Sequence, residues 1–296
     1  MRYIKPINIG DDQLVSSNVA ETSPALWSSV EDYVTGDQVR VGHVVYKAAS
    51  NNTNKAPADD ANRAVWPVFG VTNRWHMFDM TRGSEIQTEN SESIVVEIEP
   101  GELYSSLALF GLSAKTLLIE IIDDGSLVWS SENISLQSTQ GINYFFAWFN
   151  APIQRKEQFV TFSLPYYSGA VVRVTISRPG GVAKCGKLVI GWGRELGCTK
   201  WGLQPRYQDF SDIRYDTFGN LKLNKRRKAR QRDFIVVVDS SRLAFVESQL
   251  ISLGGDPTVF VGSPNHEISI ILGVVSDFSS TYEFGKSNYN LKILGL

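Results

Sequence analysis

Apolar residues along this chain fall in short runs rich in Val, Ile and aromatics, and Gly, Pro, Asn, Asp and Ser stand between the runs. That patterning predicts strands and turns. Helical spacing is clear in one place. Leu243, Val246, Leu250 and Leu253 recur at three- and four-residue steps, Ser240 or Ser241 stands where a cap belongs, and Gly254-Gly255 ends the run.

Three blocks separate. Residues 1–82 hold weak strands at Gln38–Val41 and Val44–Ala48 among loops rich in Asn, Asp and Ala. Residues 83–198 open with Ile94–Glu99 and a Pro100-Gly101 stop. They continue through Leu107–Phe110, Thr116–Ile122, Leu127–Trp129, Tyr144–Phe149, Phe159–Leu164, Val171–Ile176 and Lys187–Ile190. Strands at such regular spacing predict a jelly-roll-like β-sandwich. Residues 199–296 hold Arg232–Val238, the helix Ser240–Leu253, then Pro257–Val261, Ile268–Val274 and Tyr289–Leu294, an α+β arrangement. The expected fold is mainly β: a small N-terminal β module, a central sandwich and a C-terminal α+β domain with one helix.

Composition changes little. The 296 residues suffice for several cores, and a net charge of -2 selects neither nucleic acid nor an anionic membrane. No apolar run reaches the length that crosses a bilayer, so membrane insertion is not expected. The opening Met1–Pro6 lacks a signal peptide's apolar stretch, which predicts a product made and kept in a cytoplasm. Cys185 and Cys198 are too few for a disulfide framework or a metal set and are expected to stay reduced.

Catalytic patterns are missing from the sequence. His43, His76 and His266 are scattered without metal-ligand spacing, so no metal or cofactor is expected. There is no nucleophile elbow and no P-loop. Gly191-Trp192-Gly193, with Gly197 one place too far along and no helix following, reads as a plain turn. The acidic pairs Asp11-Asp12, Asp59-Asp60 and Asp123-Asp124 sit in turn contexts. The chain is expected not to be an enzyme.

Two stretches carry binding candidates. Trp27, Tyr33, Tyr46 and Trp66 are separated aromatics in a small unit, and each has two readings: a face on which a sugar ring stacks, or the core of a module too small to have another. The basic run Lys225, Arg226, Arg227, Lys228 and Arg230 concentrates positive charge. It has no aromatic interleaved for base stacking and leads into the apolar strand Phe234–Val238. A solvated arm or a subunit interface facing acidic neighbours is the preferred reading, and nucleic acid is not an expected partner.

The residues Trp27, Tyr33, Gly36-Asp37, Val39, Tyr46-Lys47-Ala48, Pro57 and Trp66 resemble, in their order, the chitin-binding type of carbohydrate-binding module. The continuation Asn73-Arg74-Trp75-His76-Met77-Phe78-Asp79 is similar to the phrase that follows such modules in minor structural proteins of tailed-bacteriophage tails. Tyr215–Asn220, the Arg/Lys-rich strand, the helix, Pro257–Gly262 and Leu291–Leu296 are similar to the C-terminal part of such proteins. The resemblance implies a virion component of the tail tip, baseplate or fibre attachment, assembled in the host bacterial cytoplasm. Its implied partners are other tail proteins and further copies of itself in a symmetric ring, with a host glycan as a candidate ligand. Two other functional classes stay open: a carbohydrate-binding adhesin that recognises host surface polysaccharide, and a hydrolase acting on host polysaccharide, which would need an acidic pair lining a groove.

Overall fold

A computed structural model describes residues 1–138, 149, 154–226 and 228–296. The protein is mainly β, with 50% of residues in strands and 9% helical, so the fold class read from the sequence holds. The strand expected at Tyr144–Phe149 lies outside the described residues, Phe149 apart.

The central sandwich sets Thr88–Ile98, Thr116–Asp123, Ser126–Ser130 and Val171–Cys185, joined at one edge by Leu14–Ser17, against a three-stranded sheet. That inner sheet is Gln158–Thr161, Ser106–Phe110 and Lys187–Gly191. Ile94, Val96 and Ile98 alternate inward from one strand, and Leu117, Ile119 and Ile121 from its neighbour but one. They meet Leu107, Leu109, Leu188 and Ile190 of the inner sheet in one buried core.

The other face of the inner sheet is covered as well. Ala108, Phe110 and Val189 pack on Ile4, Val259, Val261, Ile270 and Leu272, which belong to an eight-stranded antiparallel sheet. That sheet is built from Arg2–Ile4, Gly193–Glu195, Thr258–Val261, Ile270–Thr281, Lys286–Gly295 and Lys228–Asp239, with the short strands Cys198–Thr199 and Gln204–Asp209 paired to the last. Burial on both faces explains why Ser106–Phe110, Lys187–Gly191 and Thr258–Val261 are buried without alternation. The far face of the eight-stranded sheet carries Tyr3, Phe234, Val236, Phe260, Tyr289 and Leu291, and the helix lays Leu243, Val246, Leu250 and Leu253 on it.

Arg2–Ile4 therefore pairs with residues 193–195 on one side and 259–261 on the other. Crossing the inner sheet brings its backbone so close that a Cβ on Gly191 would lie 2.1 Å from Lys5 O. The helix begins differently from the expected serine cap. A 3-10 turn, Ser240–Arg242, leads into Leu243–Leu253 without a side-chain cap. The Ser240 hydroxyl instead donates to Glu283 O at 2.6 Å, tying the helix start to the next hairpin. Gly254, at φ +54°, ends the helix as its sequence predicted. Both cysteines are free, Cys185 buried and Cys198 exposed.

Candidate functional site

The N-terminal module is a three-stranded sheet, Gln38–Val41, Val44–Lys47 and Val68–Val71, with a small two-stranded pair, Asp32–Tyr33 and Asn52–Thr53. Gly36 at φ +104° and Gly42 at φ +60° make its reversals, and the Asp37 carboxylate accepts from Val34 N at 2.8 Å. Tyr33, Val39, Ala48 and Trp66 form the core. Trp66 is 1% exposed, meets Tyr33 edge to face at 5.2 Å, and donates its indole N–H to Lys55 O at 2.9 Å. Burial holds the Tyr33 hydroxyl above its ordinary pKa. For these two residues the stacking reading is corrected: a ring enclosed on both faces has none to offer a sugar.

Trp27 and Tyr46 pack against that core and are half-buried. Trp27 Nε1 is shielded from solvent without a hydrogen-bond partner among the described residues. The aromatic that the module presents outward is Phe69, in a shallow hollow of about 380 Å³ with Lys47, Ala48 and Pro67. Lys47 Nζ and the Arg82 guanidinium lie over its ring at 5.6 and 5.8 Å. Reasoning from sequence missed Phe69, because Val68-Phe69 is too short a run to show which side chain turns out.

The Asn73–Asp79 phrase welds this module to the sandwich. The Asn73 amide donates to Glu89 O (2.8 Å) and accepts from Glu89 N (2.9 Å), imitating a strand neighbour. Arg74 Nε donates to Val19 O and its guanidinium pairs with Glu21. Trp75, Met77 and Phe78 enter the sandwich core, and His43 of the module stacks on Trp75 at 4.3 Å. Lys187, 0% exposed, donates to His76 O at 2.9 Å. Burial pushes its ammonium down to about 8, with Asp79 pulling partly back. The His76 ring nitrogen lies 3.1 Å from Gln87 O, so every side chain from Asn73 to Phe78 has a structural partner.

The basic run does not act as a unit. Arg227 lies outside the described residues, and Lys225 and Arg226 are exposed. Lys228 pairs with Asp209 at 3.3 Å, and Arg230, also exposed, stands opposite Tyr207. Ala229 is buried, and Arg232 turns in to donate to Ile268 O at 2.8 Å while lying 5.7 Å from the Tyr207 ring centroid. Strand pairing therefore brings an aromatic beside basic residues that the linear run did not show.

Ahead of this run lies a hairpin, Asp212–Tyr215 with Leu221–Asn224, in a two-stranded sheet of its own. Cross-strand partners share a face, so Ile213, Leu223, Tyr215 and Leu221 line one side and Arg214 and Lys222 the other. All four apolar side chains are exposed, and Phe218 at the tip is 89% exposed. The turn is fixed by the Asp216 carboxylate, which accepts from Phe218 N and Asn220 N at 2.9 and 2.8 Å. Those bonds, Asn220 first, hold its pKa below the usual carboxylate range.

Among the described residues no group of three or more His, Cys, Asp or Glu side chains is placed to hold a metal ion. Among them, too, no helix is long and apolar enough to cross a membrane. Comparison with protein-family models gave no match, and comparison with curated proteins gave none either.

Proposed function

We propose that this chain is a non-enzymatic structural component of a bacteriophage tail, at the tail tip, baseplate or fibre attachment. It assembles through protein–protein contacts with copies of itself and with other tail proteins. The carrying observation is the hairpin Asp212–Asn224, a complete apolar face on a two-stranded arm that none of the described residues covers. Isolated two-stranded hairpins are marginal in water, and exposed apolar faces of this kind mark interaction surfaces. The resemblance of the Asn73–Asp79 phrase and of the C-terminal block to minor tail proteins supplies the setting.

A glycan-binding adhesin is the competing reading. It loses Tyr33 and Trp66 to the module core, leaving half-buried Trp27 and Tyr46 and the cation-covered Phe69. An antibody to this chain, imaged by negative-stain electron microscopy on virions of the phage that encodes it, should label the distal end of the tail. Label confined to heads, or absent, would contradict the proposal.

A further inference from the structure

We infer that the basic hairpin arm of one copy docks, head to tail, on the acidic end of the sandwich of a second copy. The inference deepens the structural reading above and rests on it. Charge is segregated along the chain. Residues 200–230 carry nine Lys or Arg against three Asp, a formal +6, and with -2 for the whole chain the remainder is -8.

The negative charge has a place in the fold. Asp11 and Asp12 precede the strand Leu14–Ser17, Glu99 and Glu102 follow Thr88–Ile98, and Asp123 and Asp124 close Thr116–Asp123. Register puts Leu14 opposite Ile98, Ile98 opposite Val172, and Ile122 opposite Val171, so these turns gather at one end of the sandwich. No Lys or Arg occurs in residues 8–18, 99–114, 123–138 or 164–172. The His43 ring lies 3.1 Å from Asp11. The cations nearest this end are Arg173, which shares a hollow with Asp124 and is paired with Glu97 and Glu120, and Lys5 and Arg194, which line a cavity with Glu102. Leu103, Leu127 and Tyr166 are exposed between the carboxylates. The end is acidic and apolar; the arm is basic and apolar.

The two surfaces lie at opposite ends of the molecule. Tyr207, Lys228 and Arg230, at the root of the arm, line a cavity with Gly111, Ser113 and Lys184, which mark the sandwich end away from Glu99. The 11-residue strand Thr88–Ile98 separates the ends by roughly 35 Å, against about 20 Å of hairpin. An arm is therefore better placed to reach a neighbour's acidic end than its own. Such a contact is heterologous: repeated, it closes into a ring or grows as a filament. Aromatics and cations together also suit single-stranded nucleic acid, but the complementary acidic surface on the same chain favours a second copy.

Sedimentation of the purified full chain and two exposed-site variants tests this. The wild type should self-associate, less so at high salt. An arm variant (Lys222→Glu with Arg226→Glu) and an end variant (Glu99→Lys with Glu102→Lys), each shown folded by circular dichroism, should each associate at least about tenfold more weakly. Mixed, they should form a one-to-one dimer, since one retains its acidic end and the other its arm. A wild type that stays monomeric overturns the inference, whether or not it retains a single-stranded oligonucleotide. So does an end variant that associates like the wild type, which would mean arm on arm. A monomeric purified chain beside a labelled tail would sink the docking and spare the tail reading; head-to-tail association with no tail label would do the reverse.

Discussion

At the scale of single residues, burial decides between the two roles open to the module's aromatic side chains. Trp66 fills the centre of a module with few other large side chains, so Trp66→Ala should cost about 3–5 kcal/mol of that module's stability. Limited proteolysis within residues 20–72 should rise sharply while the sandwich stays resistant. A glycan-stacking Trp66 would instead leave proteolysis unchanged. Lys187 makes a pH argument. With its folded pKa down at about 8 against 10.5 for an ordinary lysine, the charged form is penalised in the fold at pH 7, and the penalty lifts as pH rises through that window. Lys187→Met should therefore melt higher than wild type at pH 7, by up to about 3 kcal/mol less the lost His76 hydrogen bond. The advantage should shrink towards pH 10. Buried Tyr289, held above its ordinary pKa by desolvation, weakens both proteins alike there. A constant difference across pH would refute the assignment. Nothing in the sequence marked Lys187 as buried, because it opens an apolar run where a solvated strand end is the usual reading.

At the scale of elements, legibility followed local periodicity. Helix Leu243–Leu253 and the alternating strands Thr88–Ile98 and Thr116–Asp123 carry their own pattern and were readable. Hairpin Asp212–Asn224 also alternates, Ile213 and Tyr215 against Leu221 and Leu223, but its strands are four residues each and the adjacent charges dominated the reading. The Asn73–Asp79 phrase was recognisable as a motif, whereas its role was not, since its partners Val19, Glu89 and Lys187 are scattered along the chain. Asn73→Ala removes both hydrogen bonds to Glu89, and a loss of about 1–3 kcal/mol is expected, read as faster hydrogen exchange at Glu89. In the arm, Gly219 sits at φ +82° with open space around it. Gly219→Val therefore strains only the backbone, by about 1–2 kcal/mol. It should open residues 216–220 to protease and weaken self-association while leaving the melting of the sandwich unchanged.

At the scale of the whole molecule, the layers run from the outer sandwich sheet through the inner sheet to the eight-stranded sheet and its helix. Their order depends on Arg2–Ile4 pairing with residues about 190 and 260 positions away, a contact without local signature. Sequence placed those three residues with the N-terminal block for that reason. This stack buries the inner sheet on both faces, yet no described residue covers the apolar side of the arm, and in the docking inferred above a second copy does. Native mass spectrometry of the purified full chain reads that contact without any label or partner. A ladder of oligomers, or one closed species, that collapses on Phe218→Asp is the result expected; a monomer at every concentration would contradict it.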